Sequence, residues 1–210
     1  HPKSPFVCIL GGVKKETKIP LLKQMVVHAD QILIGGGIVN TYLKATGYGI
    51  GSSIFDKGKE HIALTYGRKK KVILPVDVIV GTKDGKHYRR VRLAKKPHVI
   101  CKKGEAIFDI GPETLRLYAL YITQAKTLVW NGAMGYFEQK PYDIATLTIA
   151  RLLAARSKGS AYGVIGGGET IQAMDLTGMT DDVDLVSTGG GAMLSYLAAE
   201  KLPGIIALEK

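Results

Sequence analysis

Glycine clusters directly follow four short β-rich runs of this chain. Gly11-Gly12 follows FVCIL, Gly35-Gly36-Gly37 follows QILI, Gly166-Gly167-Gly168 follows YGVI, and Gly189-Gly190-Gly191 follows DLVST. Such runs alternate with segments of helical periodicity, which predicts βαβ units and a parallel sheet covered on both faces. The carboxyl ends of parallel strands lie along one edge, so we expect the clusters to converge on a single crevice.

The predicted elements define the fold class. Strands are predicted over 6–10, 31–34, 72–76, 127–130, 162–165, 184–187 and 205–208, and helices over about 17–28, 38–46, 56–67, 113–124, 142–157, 169–177 and 191–200. The alternation breaks at 78–96, where Asp84-Gly85 is predicted to form the two-residue turn of a β-hairpin. We expect an α/β fold: a three-layer, doubly wound, mostly parallel, Rossmann-like sheet with a small added β-hairpin, in one domain spanning residues 1–210.

An anionic ligand is the favoured occupant of this crevice. Three of the clusters lead into helices, whose first N–H groups are unpaired and which carry the positive end of a dipole. Glycine lets a phosphate approach that backbone closely. One such cluster alone would indicate only a tight turn, but four on one edge favour phosphate binding.

The common phosphate-binding fingerprints are absent. No GxxxxGK[ST] occurs, and GxGxxG fails because Asn40, Ile171 and Leu194 stand where the third glycine is needed. A P-loop enzyme and a nicotinamide-dependent oxidoreductase are therefore disfavoured, the latter also because the expected downstream acid is missing.

Few charged residues are placed to face the crevice. Lys14 and Lys18 are four apart, so on a helix they share a face from which both reach a polyphosphate; the alternative is two solvated lysines. Glu169 would repel phosphate unless Mg²⁺ lay between them, or it is simply an acid in a helix first turn. Thr170 is a cap or a phosphate donor, and Glu138 either binds a ribose hydroxyl or is exposed.

The basic residues are concentrated in one segment. The net charge is +11, and Arg68–Lys103 holds thirteen Lys and Arg against two acids, which accounts for all of it. This segment supports a second reading, a module that binds nucleic acid or an acidic partner, although Tyr88 is the single aromatic residue of its arginine-rich arm. The plain alternative is a solvated hairpin face.

The remaining reactive residues carry little chemistry. Cys8 and Cys101 lack metal spacing and indicate buried free thiols in a reducing, cytoplasmic setting. The five histidines show no metal spacing. The available chemistry is positioning and charge neutralisation, which fits phosphoryl transfer better than acyl hydrolysis or hydride transfer.

With these residues in hand, the chain resembles the carboxyl-terminal, nucleotide-binding domain of phosphoglycerate kinases. The resemblance spans the chain in family order through seven blocks: FVCILGGVKKETKI, ILIGGGIVNTYLKATGYGIG, VILPVDVIV, FDIGPETLRLY, LVWNGAMGYFE, VIGGGET and VSTGGGAMLSYLAAEKLPGIIAL.

The resemblance implies a reaction and a set of roles. The family interconverts MgATP and 3-phosphoglycerate with MgADP and 1,3-bisphosphoglycerate in glycolysis and gluconeogenesis. By this resemblance the nucleotide phosphates would be held by Lys14, Lys18, Asn131, Gly166, Gly167, Gly168, Glu169 and Thr170, and Mg²⁺ would lie on Glu169. Glu138 would bind the ribose, and adenine would lie between Gly35, Gly36, Gly37, Ile107, Phe108 and Tyr136. The transferring phosphoryl group would lie at Gly189, Gly190 and Gly191.

The chain departs from the family pattern at a few positions. The family usually has alanine, valine and aspartate at Val13, Lys15 and Thr17, proline at Ala133, aspartate at Glu169 and a smaller apolar residue at Tyr136. The family's amino-terminal domain, which carries the 3-phosphoglycerate site, has no counterpart here. We expect a cytoplasmic, monomeric chain that binds nucleotide and, by itself, turns over slowly or not at all.

Overall fold

Six short strands form a parallel sheet at the centre of the molecule. The computed structural model describes residues 2–12, 18–94, 98–197 and 199–208, with residues 18–20 described by their backbone. The strands are β1 (Phe6–Leu10), β2 (Gln31–Ile34), β3 (Val72–Ile73), β7 (Thr127–Asn131), β8 (Tyr162–Gly166) and β9 (Leu185–Ser187). Their order is β3-β2-β1-β7-β8-β9, with every neighbouring pair parallel.

Helices connect these strands. In the described part of the chain they are α1 (Lys18–His28), α2 (Gly36–Ala45), α3 (Glu60–Gly67), α4 (Pro112–Gln124), α5 (Ile144–Ser157), α6 (Gly168–Asp175), α7 (Gly190–Leu197) and α8 (Pro203–Leu208), with a 3₁₀ turn at Thr180–Asp182. Within that part, no helix is long and apolar enough to cross a membrane.

The two faces of the sheet bury separate cores, as strand alternation requires. Val7 and Ile9 of β1 lie in a core shared with α4, α5 and α6, around the fully buried Trp130. Cys8 and Leu10 lie in the opposite core, shared with α1, α2 and Leu194 of α7. The predicted three-layer α/β fold is confirmed.

The predicted hairpin is present and is larger than expected. β4 (Asp77–Gly81) pairs antiparallel with β5 (Tyr88–Arg92) and also with β6 (Ala106–Ile110), which the sequence analysis missed. The connection spans 82–87 instead of two residues, because Asp84 Oδ1 accepts hydrogen bonds from the Thr82 hydroxyl (2.6 Å) and the Lys86 N–H (3.1 Å) and so closes a wider loop.

A buried carboxylate joins this small sheet to α4. Asp77, which is fully buried, accepts hydrogen bonds from the N–H (2.8 Å) and hydroxyl (2.6 Å) of Thr114 and pairs with Arg90 Nε at 2.8 Å. The small sheet is thereby fixed against the N-terminus of α4, beside the carboxyl edge of the large sheet.

Two predicted strands differ from the structure by more than one residue. The strand predicted over 205–208 is wrong: Pro203–Leu208 is the helix α8, because a proline at the first helical position presets φ for a helix, and a short apolar run has no periodicity that separates strand from helix. β3 ends at Ile73 instead of 76, since Pro75 has no N–H for a ladder hydrogen bond.

The Tyr118 hydroxyl fixes α4 to the sheet where β2 reaches the glycine cluster. Tyr118 is fully buried, and its hydroxyl lies 2.7 Å from the carbonyl oxygen of Ile34 and 2.9 Å from that of Ile73. Ile34 is the last residue of β2 and precedes Gly35. The carboxyl end of β2 is therefore held by a side chain of α4.

Replacing this tyrosine tests that role. We expect Tyr118→Phe to lower the free energy of unfolding by about 1–2 kcal/mol, because the carbonyls of Ile34 and Ile73 lose the single hydroxyl proton that they share. Urea denaturation of both chains measures the change. Tyr162→Phe, at a residue that is 52% exposed, is the control and should change stability by less than about 0.5 kcal/mol. Equal stability of Tyr118→Phe and the unchanged chain would contradict this role.

Candidate functional site

A cavity of about 460 Å³ opens at the carboxyl edge of the large sheet. Its walls come from the loops after β1 and β7, from α2 and the segment that follows it, from the start of α6, and from β4 and β6 of the small sheet. The residues that line it include Gly12, Gly36, Gly37, Val39, Asn40, Ile54, Lys83, Ile107, Phe108, Asp109, Met134, Tyr136, Glu138 and Glu169.

The N–H groups of the glycines after β1 and β2 donate hydrogen bonds to carbonyls of neighbouring loops. Gly12 N–H donates to the Ala133 carbonyl (2.6 Å), Gly36 N–H to the Met134 carbonyl (2.9 Å) and Gly37 N–H to the Gly12 carbonyl (3.0 Å). These amides are unavailable to a phosphate. At these two clusters the carbonyls of neighbouring loops occupy the donors, and the glycines form a closely packed wall. Which part of a ligand meets this wall stays a prediction.

Glycine is required at position 36. Its φ is +56°, and a Cβ there would lie 2.6 Å from the backbone nitrogen of Gly12. Most other residues would strain both the backbone and the contact. The segments after β1 and β2 can approach this closely because Gly12 and Gly36 have no side chains.

The loop after β8 is built differently. Gly167 has φ +92° and caps α6, and its carbonyl accepts the first helical bonds, from Thr170 and Ile171 (both 3.0 Å). The amides of Gly168 and Glu169 precede these bonds, and no acceptor for them is found among the described residues. Together with the helix dipole, they form an N-terminus that suits an anion.

Asn131 and Thr170 support this loop from within the protein. The Asn131 amide donates to the Gly166 carbonyl at 2.6 Å, and the Thr170 hydroxyl accepts the Gly132 N–H at 2.6 Å. Both residues are buried. They join the loop after β7 to the start of α6.

The fourth glycine cluster, Gly189–Gly191, lies beside this loop. α7 begins at Gly190, and a Cβ on Gly190 would lie 2.8 Å from the Cα of Gly167. The Met193 N–H donates to the Gly189 carbonyl at 2.8 Å. The amides that precede it in the first turn of α7 have no carbonyl of the same helix as partner. The starts of α6 and α7 therefore meet at one place, as predicted.

The other end of the cavity is apolar. Ile107 and Phe108 of β6 and Tyr136 of the loop after β7 all line it, as predicted, and Val39 and Ile54 add to the wall. Tyr136 N–H donates to the Phe108 carbonyl at 2.7 Å, and the two rings lie 5.9 Å apart. A flat heterocycle fits a wall of this kind.

The predicted charged residues fall into two groups. Glu138 and Glu169 both line the cavity, at an exposed and a half-buried position. Lys14 lies outside the described residues, and Lys18 is the first residue of α1, with its side chain outside the described part. The pairing of the two lysines stays a prediction.

One carboxylate beside the free helix N-terminus fits a magnesium ion carried by a nucleotide. Among the described residues, no three His, Cys, Asp or Glu side chains cluster to hold a metal by themselves. Mg²⁺ is commonly bound through one or two carboxylates plus the phosphates of its ligand. Glu169, at the second position of α6, supplies such a carboxylate.

Sequence reasoning missed four polar residues of the cavity: Asn40, Ser52, Lys83 and Asp109. Asn40 and Asp109 each interrupt an apolar pattern, GGIVNTYL and AIFDI, and that interruption was a usable signal. Lys83 carried no signal, because it reaches the cavity through the packing of the 82–87 loop on the loop after β7, where Gln139 Nε2 donates to the Asp84 carbonyl (3.2 Å).

The arginines of the basic segment are largely neutralised within the chain. Arg89 pairs with Glu105 at 2.6 Å, and this partner holds the pKa of Glu105 below its usual value. Arg90 and Arg92 both pair with Glu113. This pairing involves three of the four arginines of the segment, and the alternative function of its other cationic residues stays a prediction.

Comparisons with known proteins give a consistent result. The family model described as phosphoglycerate kinase matches residues 1–200. The phosphoglycerate kinase of Coxiella burnetii is 38% identical over 210 residues, covering 98% of this chain and 52% of the relative, and that of Desulforapulum autotrophicum is 39% identical over 215 residues, covering 100% and 53%.

Solved structures agree. The phosphoglycerate kinase structure from Coxiella burnetii matches with a TM-score of 0.86 and 37% identity, covering 99% of this chain and 53% of that one. The structure from Pyrococcus horikoshii matches with a TM-score of 0.79 and 29% identity, covering 99% and 52%. The chain therefore spans about half the length of the relatives it matches.

A pH profile tests the environment of Asp109. Burial raises the pKa of this carboxyl well above its usual value, although it accepts hydrogen bonds from the N–H groups of Ala145 (3.1 Å) and Ile110 (2.9 Å). The unfolded chain ionises it near pH 4, so its contribution to stability is complete below that pH and declines as the pH rises toward the folded pKa.

Asp109→Asn removes this titration. We expect the variant to have a lower free energy of unfolding at pH 4, because its amide NH₂ replaces one of the two oxygens that accept hydrogen bonds. As the pH rises from about 4, the difference in free energy of unfolding should shift in the variant's favour by at most about 1.4 kcal/mol per pH unit. Urea denaturation from pH 4 to 8 measures it, with the exposed Asp181→Asn as control. A difference independent of pH would contradict the burial argument.

Proposed function

This chain belongs to the phosphoglycerate kinase family, and we propose that it is a nucleotide-binding domain that holds MgADP or MgATP in the cavity at the carboxyl edge of its sheet. In this proposal residues 1–210 form one such domain. The observation that carries the proposal is the arrangement of one apolar cavity wall and two helix N-termini at the same sheet edge.

The two ends of the cavity suit the two ends of a nucleotide. The base would lie between Ile107, Phe108 and Tyr136 and the wall formed by Gly36 and Gly37, while the ribose would meet Glu138 at the cavity mouth. Gly35, predicted to belong to this wall, does not itself line the cavity. The phosphates would lie against the amides of Gly168 and Glu169. β2 and β8 are separated by three strand spacings, about 14 Å, which suits an extended nucleoside diphosphate.

The residues support phosphoryl transfer by position and charge. The starts of α6 and α7 would stabilise negative charge on the terminal and transferring phosphoryl groups, together with Lys14 and Lys18. Mg²⁺, held by Glu169 and the nucleotide, would neutralise phosphate charge. Since a carboxylate acceptor such as that of 3-phosphoglycerate is already ionised at neutral pH, the chain needs no general base.

Turnover would depend on a second domain. We propose that the 3-phosphoglycerate site lies on a partner domain, as the family resemblance implies, and that closure of two domains brings the substrates together. The chain itself would supply the nucleotide half of the reaction.

Calorimetric titration of MgADP into the chain tests the proposed site. We expect saturable one-to-one binding that weakens about tenfold or more in Lys18→Ala, because a charge-assisted phosphate contact is lost, and that also weakens when Mg²⁺ is omitted. Lys23→Ala on the same helix is the matched control and should bind as the unchanged chain does. NAD and a single-stranded RNA, titrated in parallel, represent the two alternative functions.

Preferential binding of NAD, or salt-dependent binding of RNA without response to MgADP, would contradict the proposal. A coupled assay with MgATP and 3-phosphoglycerate should give turnover at or near background for this chain. A rate like that of a complete two-domain kinase would contradict the requirement for a second domain.

A further inference from the structure

Asn40 presents an unusual polar group in the apolar part of the cavity. The residue lies in α2, lines the cavity and is 5% exposed. Its Nδ2 donates to the Ile54 carbonyl at 2.9 Å, while its Oδ1 is buried and has no hydrogen-bond partner among the described residues. A buried acceptor without a donor destabilises a protein, and nearly all buried polar atoms of native proteins have a partner.

The orientation of the amide is fixed by chemistry. The Ile54 carbonyl only accepts hydrogen bonds, so the group that faces it must be the NH₂ of Asn40. The neighbouring Thr41 holds the same segment, since its hydroxyl accepts the Asp56 N–H at 2.9 Å and donates to the Gly37 carbonyl at 2.8 Å. Rotating the amide by 180° would place Oδ1 against the Ile54 carbonyl oxygen, and both are acceptors. Oδ1 therefore remains the atom that is available to a ligand.

The position of Asn40 corresponds to the base end of a bound nucleotide. Val39, Ile54 and Ile107 line the cavity with it, and the nearby amides of Gly36 and Gly37 are already bonded to carbonyls. A phosphate would gain no donors here, whereas α6 and α7 offer them across the sheet. The group that reaches Oδ1 is therefore a donor carried by a flat, mostly apolar ring.

We propose that Asn40 Oδ1 accepts a hydrogen bond from the exocyclic amino group of a 6-aminopurine and so makes the site prefer adenine nucleotides. This inference rests on the proposed function. A purine without a substituent at C6 leaves Oδ1 buried and unpaired, and a 6-oxopurine places an oxygen against it. A site built around one polar group rejects ligands that lack its partner more strongly than an apolar pocket does.

Three nucleotides titrated into the chain test this role: MgADP, the magnesium complex of purine riboside 5′-diphosphate, and MgIDP. We expect both analogues to bind at least about tenfold more weakly than MgADP. In Asn40→Ala and Asn40→Leu, MgADP affinity should fall and the three affinities should come within about threefold of one another. Circular dichroism and urea denaturation establish that each variant is folded.

Ile54→Ala is the matched control. It trims the same cavity wall but keeps the backbone carbonyl that orients Asn40, so it should weaken all three nucleotides by a similar factor. The inference would be overturned if the folded Asn40 variants still preferred MgADP over the two analogues as strongly as the original chain does. It would also be overturned if the original chain bound all three nucleotides with equal affinity, a result that needs no variant. In both cases the proposed function stands, whereas failure of all three nucleotides to bind would overturn that function and this inference together.

Discussion

The close approach of three loops at the carboxyl edge of the sheet is the constraint on which the rest of the site depends. The Gly12 carbonyl accepts the Gly37 N–H at 3.0 Å, and the Met134 carbonyl accepts the Gly36 N–H at 2.9 Å, so the loops after β1, β2 and β7 are joined without an intervening side chain. The positive φ of Gly36 is part of the same arrangement. These bonds satisfy donors that would otherwise be buried, and they set the apolar wall opposite the small sheet.

The consequence is a division of roles along one edge. Where neighbouring carbonyls take the glycine amides, the surface offers shape and apolar contact. Where the chain starts α6 and α7, the first amides remain for a ligand, and Asn131 and Thr170 hold that segment from beneath. The small sheet closes the cavity from the other side and is itself fixed by the buried Asp77. A ligand that is flat and apolar at one end and anionic at the other matches this division.

The sequence predicted the parallel sheet, its covering helices and the convergence of the glycine clusters, because strand alternation and turn residues are local signals. It did not predict which clusters keep their amides, since Gly12 and Gly36 are 24 positions apart and their contact depends on strand order. β6 was missed because AIFDI carries an acid in a strand, and that acid, Asp109, is buried through packing against α5. Lys83 is brought to the site only by the packing of two distant loops, whereas Asn40 interrupts an apolar pattern that could have pointed to it. The helix at Pro203–Leu208 shows that isoleucines alone do not define a strand.

The most direct test of this account is an amide chemical-shift map of the ¹⁵N-labelled chain during titration with MgADP. The account predicts the largest shifts at the cavity, including Gly37, Ile107, Tyr136, Gly168 and Glu169, and little change at the opposite edge of the sheet, for example at Asp30 and Lys126. Shifts confined to the 82–92 hairpin, or shifts at the amino edge with none at Gly168 and Glu169, would contradict it.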